Sequence, residues 1–150
     1  NLTGAARRVR IEEIFNPYHK RINKEIKRLK TTGAPPVILS VHSFSPDFGN
    51  SPRPWDIGIL WNRDPRFALS LIKMLRKFNL NVGENVPYSG KKLAYTIDTH
   101  GGSAGLANCV IEINQRQLSD AAGIDRGGEI LMRGLPDIIK MQDLNRTEWF

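Results

Sequence analysis

The 150-residue chain reads as an α/β protein with three layers, helices lying on both faces of a mostly parallel or mixed central sheet. Three observations predict this class. Apolar, strand-length runs occur at Val37–Phe44, Asp56–Trp61 and Asn108–Asn114. Segments with helical spacing of apolar residues alternate with them, and clusters of Gly, Pro, Asn and Asp separate the two kinds. Length and composition suit one domain over residues 1–150 with a real core, and no repeat, linker or low-complexity stretch divides it.

From Val9 to Leu29, Ile11, Ile14, Phe15, Tyr18, Ile22, Ile26 and Leu29 recur among charged residues, which predicts an amphipathic helix. Asn16-Pro17 suits an N-cap with proline at the first helical position, so two consecutive helices or one broken helix are expected, ending near Thr31. Gly33-Ala34-Pro35-Pro36 stops the helix, and the following strand is expected to end at His42. Residues 45–54 read as loop and Asp56–Trp61 as a second strand. Asp64-Pro65 caps a helix whose stripe is Phe67, Leu71, Ile72, Leu75 and Phe78. Asn81-Val82-Gly83 is extended, and residues 85–90 form a loop. Lys92–Thr99 is a short helix ahead of the turn His100-Gly101-Gly102. After the strand Asn108–Asn114, a closing helix is expected over Ile130–Leu144, with a kink or a restart at Pro136.

Composition excludes several classes. The chain carries 22 Lys and Arg against 15 Asp and Glu, a net +7. Much of the excess falls in helical stretches rather than in a basic-aromatic stripe, so a solvated helix face explains it better than nucleic-acid binding. Cys109 is the one cysteine, which rules out an internal disulfide or multi-cysteine zinc cluster and suggests a reducing cytoplasm. No apolar run has the length of a membrane span, and no signal peptide is visible. The chain opens at Asn1 and runs directly into a charged helix, which suggests a piece of something longer. Phosphate-cradling loops, dinucleotide fingerprints and serine elbows are absent from the sequence.

Two groups stand out chemically. His42 is placed at the carboxyl end of a strand before a long loop, where ligands collect in open α/β sheets; it can ligate zinc or simply cap the strand. Glu112 lies among apolar residues of a buried strand, as a general base with a raised pKa or as half of a buried ion pair. Arg53, in the stiff stretch Ser51-Pro52-Arg53-Pro54-Trp55, can present its guanidinium fork to a carboxylate or be an ordinary surface arginine. Asn85 and Tyr88 flank Pro87 in a loop that can line a pocket or merely turn the chain. His100 precedes two glycines that allow a ligand's approach or serve the turn. His19 packs or caps on its helix, and Cys109 is a small buried hydrophobe.

Taken in order, six segments resemble the N-formylglutamate amidohydrolase family. They are Asn16-Pro17-Tyr18-His19, Val41-His42-Ser43-Phe44-Ser45-Pro46, Arg53-Pro54-Trp55-Asp56-Ile57-Gly58, Val82 to Gly90, His100-Gly101 and Ile111-Glu112-Ile113. An ordered set is far more specific than any one member. The family is similar to the zinc carboxypeptidases, whose third metal-binding histidine lies in a His-Ser-aromatic motif at a strand end, which His42-Ser43-Phe44 resembles. The resemblance therefore implies a zinc carboxypeptidase-like fold and zinc bound by His42. It implies Glu112 as the group that activates a metal-bound water, with zinc polarising the formyl oxygen.

The implied activity is hydrolysis of N-formyl-L-glutamate or a related N-acyl amino acid to formate and the free amino acid, within amino-acid degradation. Arg53 is expected to hold a substrate carboxylate, with Asn85 and His100 as further substrate-binding groups. The partner implied is a small anionic N-acyl amino acid, with neither nucleic acid nor membrane. The other two zinc ligands are expected upstream of Asn16, where this chain has Glu12 and Glu13 but no histidine. The chain is thus expected to be the C-terminal portion of an incomplete domain. The alternative is a metal-free, non-catalytic anion-binding domain built on this fold.

Overall fold

The computed structural model describes residues 3–150. The chain divides into two compact units, Asn1–Pro36 and Val37–Phe150.

The first unit is helical. Helix α1 (Gly4–Arg10) starts at Thr3, whose side chain accepts from the Ala6 N–H, and passes through a π-helical turn (Ile11–Phe15) into α2 (Asn16–Lys30). The expected break at Pro17 is this π turn. Asn16 has helical dihedrals and caps nothing with its side chain, contrary to the N-cap reading. Its N–H reaches back to the Ile11 carbonyl, so the chain absorbs a residue without N–H by widening a turn instead of restarting the helix. The unit holds nine Lys and Arg against three Glu, which is +6 of the chain's +7.

The second unit contains six strands: β1 (Ile38–Phe44), β2 (Asp47–Phe48), β3 (Ser51–Pro52), β4 (Ile57–Leu60), β5 (Val82–Glu84) and β6 (Asn108–Asn114). Four of them make the central sheet, in the order β1-β6-β4-β5. Strand β6 runs parallel to β1 and antiparallel to β4, while β4 and β5 are parallel, so the sheet is mixed. Strands β2 and β3 form a separate small hairpin in the stretch expected to be loop, turning at Gly49 with φ +58°. Such a backbone favours glycine. β1 continues two residues beyond the expected end at His42 because the ladder with β6 runs on to Phe44 and Asn114.

Alternation along the strands assigns each face of the sheet. Ile57, Ile59, Val82, Cys109 and Ile111 point to one side and pack against Phe67, Leu71, Ile72 and Leu75 of α3 (Arg66–Arg76) and Ile138 of α6 (Ala121–Ile138). Leu60 and Val110 point to the other side and meet Ala94 and Ile97, next to and within α5 (Tyr95–His100), which follows α4 (Gly90–Leu93). The expected three layers are present. Helix α6 begins nine residues before the expected Ile130. Asp120 caps it by accepting from the Gly123 N–H at 2.7 Å, and Pro136 lies inside it. Three glycines in its first half lower helix propensity and hid this start from the sequence reading.

The start of α3 is tied to the C-terminal segment by Arg66. Its guanidinium pairs with Asp64 at 2.7 Å and donates to the Asp143 and Arg146 carbonyls, both charged side chains being under 9% exposed. Removing one partner of a buried ion pair leaves the other charge uncompensated. Asp64→Ala is expected to lower stability by about 3 kcal/mol in urea unfolding, far more than exposed pairs such as Arg76–Glu84 contribute.

Candidate active site

Strand register builds the site. In the β1–β6 ladder His42 is the partner of Glu112, and in the β4–β6 ladder Glu112 is the partner of Gly58, itself opposite Gly83. His42, Glu112, Gly58 and Gly83 therefore form one row across the sheet on a single face, with neighbouring strands about 4.8 Å apart. Two of the four carry chemistry, and two have no side chain.

Glu112 is 7% exposed, and its Oε2 is buried without a hydrogen-bond partner among the described residues. Burial raises its pKa above the ordinary 4.5, partly offset by the nearby His42 and Arg53. His42 is exposed to solvent on β1, one of the two edge strands of the central sheet. The ion-pair reading of Glu112 finds no support, since no salt bridge among the described residues satisfies it.

Two loops converge on this face. A Cβ at Gly58 would overlap the Val86 carbonyl oxygen, and one at Gly83 would overlap the Val86 and Trp55 side chains. The missing side chains thus let the 85–88 loop, with its cis Val86–Pro87 peptide, lie close against the sheet. Asn85, at φ +52°, holds that loop in shape by accepting from the Trp61 and Gly90 N–H groups, both at 3.1 Å. Farther along the same loop, Tyr88 meets Arg53.

Arg53 is only 8% exposed, which sets aside the ordinary surface arginine. Its guanidinium lies 4.9 to 5.8 Å from the ring centroids of Tyr88, Phe48 and Phe44. Nη1 donates to the Tyr88 hydroxyl at 3.1 Å and to the Ser45 carbonyl at 3.4 Å. The backbone beneath it is held by Asn114, whose amide donates to the Trp55 carbonyl at 2.9 Å and the Arg53 carbonyl at 3.4 Å. Asn114 ends β6 two residues beyond Glu112, so one strand places both the carboxylate and the arginine loop. Asn114 and the two sheet glycines have no role in the sequence pattern taken alone, although Gly58 and Gly83 fall within the ordered segments that resemble the family and Asn114 ends an apolar strand.

The remaining candidates lie elsewhere. His100 ends α5 and is buried, and the following Gly101 abuts Asn108, the first residue of β6. Asn108 precedes Glu112 by four residues, about 13 Å of strand. A cavity of about 450 Å³ lies at that end, lined in part by Asn62, Asp98, Asn108 and Trp149. Cys109 faces the core at 0% exposed, and burial pushes its thiol up, as expected of a small hydrophobe. His19, on α2, meets the Phe15 ring of the π turn at a tilt and the Tyr18 ring edge-on.

The fold and this row of residues define an α/β protein whose imidazole and desolvated carboxylate suit hydrolytic chemistry. A family model for N-formylglutamate amidohydrolase matches residues 1–119, and the chain belongs to that family. It is similar to the solved gene product Atu2144 of Agrobacterium tumefaciens, with 26% identity and a TM-score of 0.86, over 93% of this chain and 56% of that one. It is also similar to N-formylglutamate amidohydrolase from Ralstonia eutropha JMP134, with 18% identity and a TM-score of 0.66, over 91% of this chain and 56% of that one. The latter likeness concerns the fold alone. The chain spans little more than half the length of either structure. No curated protein sequence matches it significantly. No helix among the described residues is long and apolar enough to cross a membrane.

The zinc implied by the resemblance needs, as a catalytic ion, three protein ligands as a rule. Among the described residues no three His, Cys, Asp or Glu side chains come together. His42 and Glu112 do not make up a zinc site by themselves.

The geometry sets expectations for two substitutions. Because the fold favours protonated Glu112, stability is highest below the ordinary carboxyl range near 4.5 and is lost as pH rises toward the raised folded value. Glu112→Gln removes that loss, so in paired urea titrations the variant gains on the wild type more at neutral pH than at about pH 4. Gly58→Ala forces the Val86 carbonyl away and is expected to cost about 2 kcal/mol, read as a lower urea midpoint.

Proposed function

We propose that this chain carries part of the catalytic face of an amidohydrolase that cleaves N-formyl-L-glutamate or a related N-acyl amino acid to formate and the free amino acid. The observation that supports it is Glu112, a buried carboxylate with one unbonded oxygen, held one strand from the His42 imidazole. Its raised pKa brings it toward neutral pH, where one group can both take and return a proton. Ionised Glu112 accepts a proton from the water that attacks the acyl carbon. It then gives that proton to the nitrogen as the C–N bond breaks, so the amine and formic acid leave, the acid loses its remaining proton to the amine or to solvent as formate, and the Glu112 carboxylate is restored.

Arg53 binds a carboxylate of the substrate in this reading, and Asn85 serves by shaping the loop that carries Tyr88. His100, at the end of α5, takes no part in these steps. Zinc belongs to the proposal through His42 as one ligand, in keeping with the carboxypeptidase-like pattern. A cytoplasmic role in amino-acid degradation rests on the same reading.

The test is formate release from N-formyl-L-glutamate by the full-length protein, with metal content measured alongside. Glu112→Gln is expected to lower kcat by roughly 100- to 10,000-fold with little change in KM. Full turnover in that variant sinks the catalytic assignment. Retained binding of the substrate without any turnover in the wild type replaces it with the non-catalytic anion-binding domain.

A further inference from the structure

We infer that the Tyr88 hydroxyl and the free edge of Arg53 form one carboxylate clamp, with Tyr88 as a binding residue in its own right. The inference rests on the proposed anionic substrate and concerns how that anion is recognised.

The hydrogen bonds of the pair point to it. Arg53 uses Nη1 on the Ser45 carbonyl and the Tyr88 oxygen, while Nε and Nη2 make no hydrogen bond among the described residues. Those two nitrogens form the side of a guanidinium that matches a carboxylate bidentately. No side-chain carboxylate among the described residues pairs with Arg53 within salt-bridge distance. Tyr88 accepts the Arg53 proton, and its own O–H finds no acceptor among the described residues. A phenol whose oxygen is engaged by a cation keeps its hydrogen for donation. An anion seated on Arg53 supplies the acceptor that both groups lack.

Packing holds the arrangement. Phe44, Phe48 and Tyr88 surround the guanidinium, and Phe44 is 1% exposed. Three rings close around a guanidinium limit its freedom to turn, so the edge without hydrogen bonds is held in place. Phe48, on the β2–β3 hairpin, is 71% exposed, and its ring centroid lies 5.0 Å from the guanidinium carbon. Tyr88 is brought there by the loop that Gly58 and Gly83 admit.

Calorimetric binding of N-acetyl-L-glutamate and of its uncharged diamide to the full-length protein tests the clamp without requiring turnover. The wild type is expected to prefer the acid. Tyr88→Phe, which keeps the ring over Arg53, is expected to weaken the acid about tenfold and leave the diamide unchanged; Arg53→Lys weakens the acid at least as much. As a check that does not depend on the Tyr88 variant, the wild-type Arg53 Nε–H resonance, assigned by its loss in a folded Arg53→Lys, should shift with the acid and not with the diamide. Equal affinity of Tyr88→Phe and wild type for the acid overturns the role of Tyr88, and a wild type without preference for the acid overturns the clamp. Preference for the acid with no formate release leaves the clamp standing and removes the hydrolytic reading instead.

Discussion

Parallel pairing of β1 with β6 governs the whole site. β6 is hydrogen-bonded on both sides, to β1 and to β4, and is buried along nearly its whole length. Placing an acid in that strand means desolvating it, and leaving one oxygen without a partner adds to the cost. The register then determines what the acid sees. One strand over on one side is His42, and one strand over on the other is Gly58. A slip of a single residue would turn Glu112 into the core against α3 and bring Ile111 or Ile113 to the site face.

The opposite face of β6 stabilises this arrangement. Cys109 and Ile111 are fully buried against α3, whose Leu71 and Leu75 are also 0% exposed, and this packing offsets the cost of a carboxylate on the other side. The same strand continues to Asn114, which fastens the Arg53–Trp55 backbone. The catalytic candidate and the anion-binding candidate are thus positioned by side chains of one strand, two residues apart. Rigid placement of this kind keeps both groups in fixed relation even though Arg53 itself sits on a loop.

Much of the scaffold was legible in the residues. Asn108–Asn114 matches its strand end to end, β5 begins at Val82 as expected, and α3 begins at Arg66, one residue after the expected Pro65, with Asp64 accepting from the Arg66 N–H, because turn and cap chemistry act locally. Departures came where local signals conflict with long-range packing. Glycines at 123, 127 and 128 argue against helix, yet Ala121–Ile138 is helical, with Ile130, Leu131, Leu135 and Ile138 packed against the core. Pro17 argues for a helix start, yet a π turn carries the helix through. The hairpin at 47–52 was hidden because each of its strands is only two residues long.

Residue order alone was enough for the class of fold, the strand that carries Glu112, the strand that carries His42, and membership of a family through ordered motifs. These follow from periodicity and residue chemistry, which are properties of short segments. The folded chain was needed to make His42 and Glu112 ladder partners, to turn Gly58 and Gly83 into empty spaces for the 85–88 loop, and to enclose Arg53 by three rings with Tyr88 at its edge. Folding also set Gly101, the residue after His100, against Asn108, four residues of strand away from Glu112. Register, close approach and ring stacking are relations between residues distant in the chain, and no local pattern encodes them.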